Sequence, residues 1–181
     1  AGPATTLANL SIILGTTGGV TVNGGNAITG GANVVLADID ASNGIIHVID
    51  RVLLPPDVPA LARYAGLTSL VSAVTDAGLG DALAATGPFT VFAPTNDAFA
   101  ALPSVPTGDA LRTVLLYHVV SGRVTSTAVP ALAPSISPNA YGDDLTLLFD
   151  TSSGVVVNGS AHVVIADAKA TNGVVHVVDH V

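Results

Sequence analysis

The sequence of 181 residues contains no cysteine, no methionine and no tryptophan. Without cysteine, the chain has no disulfide framework, no cysteine-bound zinc and no thiol nucleophile. Basic residues are scarce as well, since five Lys and Arg stand against 13 Asp and Glu, for a net charge of −8. Nucleic-acid binding requires a basic surface. We therefore expect no nucleic-acid partner.

The sequence also has no long hydrophobic run. Its longest unbroken apolar stretch is five residues, Ala98–Leu102, whereas a membrane-spanning helix needs about 20. Hydrophobic residues nevertheless make up 49% of the chain and charged residues only 10%, which excludes the composition of a disordered protein. Short apolar segments between turns predict a strand-rich fold without a membrane span. Because methionine is absent, we also expect residues upstream of Ala1.

An internal repeat organises the chain. Residues 43–50, Asn-Gly-Ile-Ile-His-Val-Ile-Asp, match residues 172–179, Asn-Gly-Val-Val-His-Val-Val-Asp, at an offset of 129. The match extends back through Val34–Asp38 and Val163–Asp167 and, at an offset of 135, through Val22–Gly24 and Val157–Gly159. Residues 57–140 have no N-terminal counterpart. We therefore predict the C-terminal half of one unit at 1–54 and a nearly complete unit at 55–181, with a proline-rich link at 55–59.

Helix and strand signals occupy different parts of the longer unit. Thr68 predicts a helix start and Gly78 its end, Asp109 predicts the cap of a helix that reaches His118, and Thr95 and Asn96 precede a short helix over Asp97–Leu102. β-branched runs predict strands, which are Phe89–Ala93, Leu145–Phe149, Gly154–Val157, His162–Ala166 and Val174–Val178. This segregation favours an α+β fold over a doubly wound parallel sheet.

Three motifs in order resemble a known family. Residues 90–99, Thr-Val-Phe-Ala-Pro-Thr-Asn-Asp-Ala-Phe, are similar to the first signature of the fasciclin-like (FAS1) domain, and residues 172–179 resemble its second signature. Residues 115–120, Leu-Leu-Tyr-His-Val-Val, resemble the Tyr-His motif between them. The resemblance covers 57–181, and covers 1–54 through the second signature alone.

This resemblance implies a β-wedge of two sheets flanked by helices, in one nearly complete copy plus a preceding half copy. It implies a non-enzymatic module that is extracellular or on the cell surface, periplasmic if bacterial, and acts in adhesion or assembly by binding protein or glycan. Two alternatives stay open: a carrier of a small apolar ligand such as a carotenoid or lipid, and a structural subunit completed by a neighbouring chain. We expect no cofactor. The expected partners are an extracellular protein or cell-surface component, or further FAS1 copies of the same or a neighbouring chain.

The resemblance marks four candidate partner-binding residues: Tyr117, His118, Asn96 and Asp97. Each has a structural alternative, in which Tyr117 and His118 pack with satisfied polar atoms and Asn96 and Asp97 cap backbone groups.

Other motifs carry weaker signals. His47 and His176 lie in strands that are apolar on both faces, so we expect core or boundary residues rather than metal ligands. Ser, His and Asp are all present, but the Gly-x-Ser-x-Gly motif of a hydrolase is not. Asn9 and Asn158 begin N-glycosylation sequons.

Overall fold

A computed structural model describes residues 3–5, 11–15, 20–23, 31–138 and 143–181. Its elements are β1 (Pro3–Thr5), β2 (Ser11–Gly15), β3 (Thr21–Val22), β4 (Ala32–Ala41), β5 (Gly44–Ile49), α1 (Val58–Tyr64), α2 (Thr68–Asp76), α3 (Gly80–Ala84), β6 (Phe89–Pro94), α4 (Asn96–Ala100), α5 (Gly108–Tyr117), β7 (Val119–Ser121), β8 (Leu132–Pro138), β9 (Asp144–Asp150), β10 (Val156–Val157), β11 (Ala161–Ala170) and β12 (Gly173–Val178). Helices and strands are segregated along the chain, which confirms the α+β prediction.

The strands form two sheets. Strands β1 to β5 pair in chain order, whereas the other seven close into a barrel in the order β10-β11-β12-β6-β7-β8-β9. The pair β12–β6 is parallel, with Gly173 opposite Phe89 and Val178 opposite Pro94. The remaining barrel pairs are antiparallel. The parallel pair therefore joins the second signature directly to the first.

Three helices differ from their predictions, and α4 spans Asn96–Ala100 instead of Asp97–Leu102. Helix α1 begins at Val58, inside the stretch 55–59 that we assigned to a link. The Asp57 carboxylate caps it by accepting a hydrogen bond from the Ala60 amide at 2.7 Å. Pro59 lies in the first turn, where the missing proline N–H costs no helical hydrogen bond. Helix α5 begins at Gly108 after Thr107, so Asp109 lies in the first turn and is not the cap. Strand β8 was not predicted, since Pro134 and Pro138 interrupt its pattern. In the described ranges, no helix is long and apolar enough to cross a membrane.

Alternation along β6 supplies two apolar cores. Val91 and Ala93 face the helices, within a cluster that includes Leu61, Leu70 and Leu115. Phe92 points the other way, into a cluster whose other buried members are Val120, Ala133, Leu147, Phe149, Val157 and Val178. The rings of Phe92 and Phe149 lie 5.2 Å apart, measured between centroids. Strand β6 is therefore buried on both faces, which explains why its sequence is apolar except for the buried Thr90.

The repeat is visible in backbone detail. Strands β4 and β5 show register shifts at the same places as β11 and β12. Asp38 and Asp167 adopt φ angles of 57° and 58°, and each backbone amide donates to the Nδ1 atom of a histidine, His47 or His176, at 3.2 Å. The two hairpins thus share one local conformation although their surroundings differ.

Candidate functional site

The candidate residue His118 ends helix α5. Its Nδ1 atom lies 2.8 Å from the Val114 carbonyl oxygen. Because a carbonyl only accepts hydrogen bonds, Nδ1 carries the proton, and Nε2 is the acceptor of the neutral ring. Burial lowers the pKa of His118 below its usual value of 6.5. The ring is therefore neutral at pH 7 and offers an acceptor rather than a charge.

The neighbouring residue Tyr117 is held by two hydrogen bonds. Its hydroxyl donates to the Thr146 carbonyl oxygen at 3.0 Å and accepts from the Asn158 side-chain amide at 2.9 Å. The Asn158 Oδ1 atom in turn accepts from the Leu148 backbone amide at 3.0 Å. The Tyr117 ring meets the His118 ring edge-on. These bonds fix Tyr117 against β9, as the structural alternative expected.

Tyr117 and His118 also line a surface groove of about 400 Å³. The other lining residues are Phe92, Leu102, Pro103, Ser104, Pro106, Val114, Leu147, Val157, Asn158, Ser160, Ala161, Val178, His180 and Val181. Most of these side chains are apolar, and a few polar atoms converge among them. A largely apolar concavity with few polar groups is the usual form of a small-ligand or peptide site.

Behind this groove lies a small apolar cavity of about 90 Å³. Its walls include Leu70, Leu83 and Val175, and it shares Phe92 and His118 with the groove. The two rings therefore form the partition between the groove and the inner cavity.

The candidates Asn96 and Asp97 lie elsewhere. Helix α4 is capped by Thr95, whose hydroxyl accepts from the Ala98 amide at 3.1 Å. Asn96 instead serves helix α2: its Oδ1 accepts from the Ser69 amide at 3.0 Å, and its Nδ2 donates to the Gly66 carbonyl oxygen at 3.0 Å. Asn96 thus caps a neighbouring helix rather than the helix that it begins. Asp97 is exposed in the first turn of α4.

The four candidates are therefore not brought together. Asn96 lines a separate, open depression with Asp76, Phe99 and Thr107, whereas Tyr117 and His118 line the groove. The two motifs that contain these residues follow each other in the sequence, but their candidate residues lie on different parts of the surface.

His176 belongs to a polar network that connects the barrel to a loop. Its Nδ1 accepts from the Asp167 amide, so its Nε2 carries the proton and donates to the Val124 carbonyl oxygen at 2.9 Å. The Asp167 carboxylate accepts instead from the Ser126 amide and hydroxyl. Because the carboxylate bonds the serine and not the histidine, these three residues lack the geometry of a hydrolase triad. His176 is 1% exposed and stacks on Phe92, which confirms it as a core residue.

Its repeat partner His47 does not share that burial. The expectation of a core or boundary position is wrong for His47, which is exposed, because no strand or helix covers its side of β5 among the described residues. Across those same residues, no group of three or more His, Cys, Asp or Glu is arranged to hold a metal ion.

Two functional positions were missed from the sequence. Asn158 holds Tyr117 in place by a hydrogen bond. The Val-Asn-Gly sequence around Asn158 is repeated around Asn23, and this repetition is the signal in the sequence that could have identified Asn158. Asn158 also begins a sequon, whereas Asn9 lies outside the described residues. Asn172 accepts a hydrogen bond from the Val58 amide and donates to the Leu83 and Ala85 carbonyl oxygens, and its repetition as Asn43 marks it in the same way.

Comparisons with known proteins identify a family and relatives of this chain. The family model described as "Fasciclin domain" matches residues 3–55 and 65–181. Protein sll1483 of Synechocystis sp. is 45% identical over 122 residues, which are 63% of this chain and 65% of that protein. Transforming growth factor-beta-induced protein ig-h3 of Sus scrofa is 36% identical over 147 residues, 76% of this chain and 21% of that protein. The chain thus spans less than two thirds of the length of either relative.

A solved structure shares the fold. The FAS1 domain pair from the insect cell adhesion molecule fasciclin I superposes with a TM-score of 0.63 at 19% sequence identity, over 94% of this chain and 66% of that one. The α+β architecture and its sheets therefore correspond to those of a FAS1 pair.

Proposed function

The chain belongs to the fasciclin domain family, and we propose that it is a non-catalytic binding module of adhesion or extracellular assembly, secreted or held at the cell surface. The structural relative comes from a cell adhesion molecule, which supports this role. We further propose that residues 1–54 are the C-terminal half of one FAS1 unit and that residues 55–181 are a nearly complete second unit.

The observation that carries the proposal is the groove beside Tyr117 and His118. It is open to solvent, it is mostly apolar, and both residues are already held by hydrogen bonds to the fold. A partner therefore meets a preformed surface and does not have to order it, which lowers the entropic cost of binding. We propose that an extracellular protein or a cell-surface glycan inserts there, with a donor directed to Nε2 of His118. Asn96 and Asp97 would form a second, separate contact.

A binding assay with matched variants tests this role. Ser160 is exposed at the rim of the groove, and Ser153 is exposed outside it. We expect Ser160→Arg to fill the groove and weaken retention on extracellular matrix or cell-surface material by about tenfold or more, whereas Ser153→Arg should bind as the original chain does. Equal retention of both variants, or no retention of the original chain, would refute the proposal.

A second candidate function is transport of a small apolar ligand such as a carotenoid or lipid. The volume of the groove, together with the inner cavity behind Phe92 and His118, favours it, because ligand pockets usually enclose about 300–1,000 Å³. Organic extraction of protein isolated from its native source, followed by absorption spectroscopy and mass spectrometry, distinguishes the two roles. A stoichiometric chromophore or lipid that Ser160→Arg excludes would support transport, and an empty extract would exclude it.

A further inference from the structure

The inner apolar cavity of about 90 Å³ has an opening of its own, on the helical side of the barrel. Helices α1, α2 and α3 form most of its wall, against strands β6 and β12. Each of the three helices contributes an exposed residue to the lining, Arg63, Thr75 and Gly80. We call the opening beside these three residues the helical mouth. Phe92 and His118 separate the cavity from the groove.

Small residues keep this cavity open. Ala62 and Ala93 are buried in its wall, and a Cβ added at Gly80 would meet no atom within 4 Å. Space that side chains leave unfilled in a close-packed interior destabilises a protein. A dry apolar cavity of about 150 Å³ holds benzene, so this smaller one accommodates an apolar body of about four carbon atoms.

The charged side chain that lines the cavity is a cation. Arg63 carries the charge, Thr75 and His118 are polar, and the other lining residues are apolar or glycine. In the described part of the chain, Arg63 makes no ion pair and no side-chain hydrogen bond, whereas Arg112 and Arg123 donate to backbone carbonyl oxygens. Because the chain has 13 acidic residues for five basic ones, a shortage of carboxylates does not explain the unpaired guanidinium.

We propose that this cavity binds a small apolar carboxylate, whose hydrocarbon body enters the cavity and whose carboxylate pairs with Arg63 at the helical mouth. A guanidinium presents a fork of N–H donors that matches the two oxygens of a carboxylate. The apolar walls bury the hydrocarbon body, which favours binding. A cationic head group would be repelled by Arg63. The site is separate from the groove and does not depend on what binds there.

Arg63 is the anchor because the other polar side chains of the lining offer a carboxylate no hydrogen. The Thr75 hydroxyl donates its hydrogen to the Val71 carbonyl oxygen at 2.8 Å. The Nδ1 proton of His118 is held by the Val114 carbonyl oxygen at 2.8 Å. Removal of the guanidinium should therefore abolish the preference for a carboxylate and leave the apolar contacts intact.

Titrations of the full chain with matched probes test this site. Pentanoate carries the carboxylate, pentan-1-ol has the apolar body without the charge, and pentan-1-amine has the opposite charge at pH 7. Nuclear magnetic resonance of the backbone amides gives both the Kd and the location of the probe. We expect pentanoate to bind at least about tenfold more tightly than pentan-1-ol and pentan-1-amine to bind more weakly than either. The largest shifts should occur at Val71, Val91 and Val175, which line the cavity.

Two variants and two controls make the test specific. Arg63→Gln should weaken pentanoate binding by about tenfold and leave pentan-1-ol binding unchanged. Arg51→Gln, at an exposed arginine outside the cavity, should bind both probes as the original chain does. Val74→Phe, at a partly exposed position of the wall, should block both probes. Ser160→Arg, which fills the groove, should change neither affinity.

Three results would overturn the site: pentanoate that binds no more tightly than pentan-1-ol, an unchanged Kd in Arg63→Gln, or no saturable binding to the original chain. Loss of pentanoate binding in Ser160→Arg would place the probe in the groove and would also refute the site. The Arg63→Gln comparison decides the matter even if Val74→Phe does not fold. Retention on matrix or cell-surface material is not measured here, so either proposal can fail alone.

Discussion

A close backbone approach between β12 and β6 predicts the effect of adding one methyl group. A Cβ placed on Gly173 would lie 2.3 Å from the Phe89 carbonyl oxygen and 3.1 Å from a methyl carbon of Val58. The first contact cannot exist, so Gly173→Ala must push β12 away from β6. The adjoining hydrogen bond, from the Phe89 amide to the Asn172 carbonyl oxygen at 3.0 Å, would weaken at the same time.

The cost follows from these two effects. Overpacking in a filled core costs about 1–3 kcal/mol, and weakening one or two ladder hydrogen bonds costs about 0.5–1.5 kcal/mol each. We therefore expect Gly173→Ala to lower the free energy of unfolding by about 2–4 kcal/mol. In urea this loss shifts the unfolding midpoint down by roughly 1–2 M.

Urea titration followed by far-ultraviolet circular dichroism measures the shift, and Gly44→Ala is the internal control. The two glycines occupy equivalent places in the repeat, but among the described residues only Gly173 has a second strand, β6, on its other side. Gly44→Ala should therefore change the midpoint by less than about 0.3 M. A Gly173→Ala midpoint within that same margin, or equal losses in both variants, would refute the argument that the β6–β12 contact is tight.

Three further predictions follow from single interactions. Asn172→Ala should lower the free energy of unfolding by about 1–3 kcal/mol, because it removes the partner of three backbone groups, two of them in part-buried bonds, whereas Asn43→Ala should leave it unchanged; chemical denaturation compares the pair. Asn96→Ala removes the cap of α2 and should cost about 1 kcal/mol by the same measurement, and a neutral result would show that α2 does not need this cap. Burial lowers the pKa of both His118 and His176 below 6.5 in the folded chain. As the pH falls, the unfolded chain therefore takes up protons at these histidines before the folded chain does. Thermal stability should fall as the pH drops below about 6.5 and should level off below the folded-state pKa values. If the melting temperature instead stays constant between pH 7 and pH 5, the two rings are not held neutral.

The sequence predicted the features that depend on local pattern. The repeat, the strand β6 ended by Pro94 and the helix stop near Gly78 follow from residue types at short spacing, and the three ordered motifs led to the family. Strand β8 escaped prediction because its prolines are tolerated only through barrel geometry that no local pattern encodes.

The site depended on distant contacts and could be predicted only in part. Tyr117 and His118 were identified as candidates, but the bond from Asn158 to Tyr117 joins positions 41 residues apart. Asn96 was expected to cap the helix that follows it, yet it caps α2 by bonding backbone atoms about 30 residues earlier in the chain. Likewise, the sequences of β5 and β12 are nearly interchangeable, and their opposite exposure depends on which segments lie beside them.

The parallel contact between β6 and β12 also sets an order of events during synthesis. The paired positions are 84 residues apart in sequence, and β12 follows every other strand of the barrel. The length-dependent part of closing such a loop costs on the order of 4 kcal/mol, which is recovered only when β12 inserts between β11 and β6. The apolar faces of the helices and of β6 that pack against β12 therefore stay uncovered until residue 178 has left the ribosome. A nascent chain of this architecture is therefore vulnerable to aggregation until β12 has emerged and inserted into the barrel.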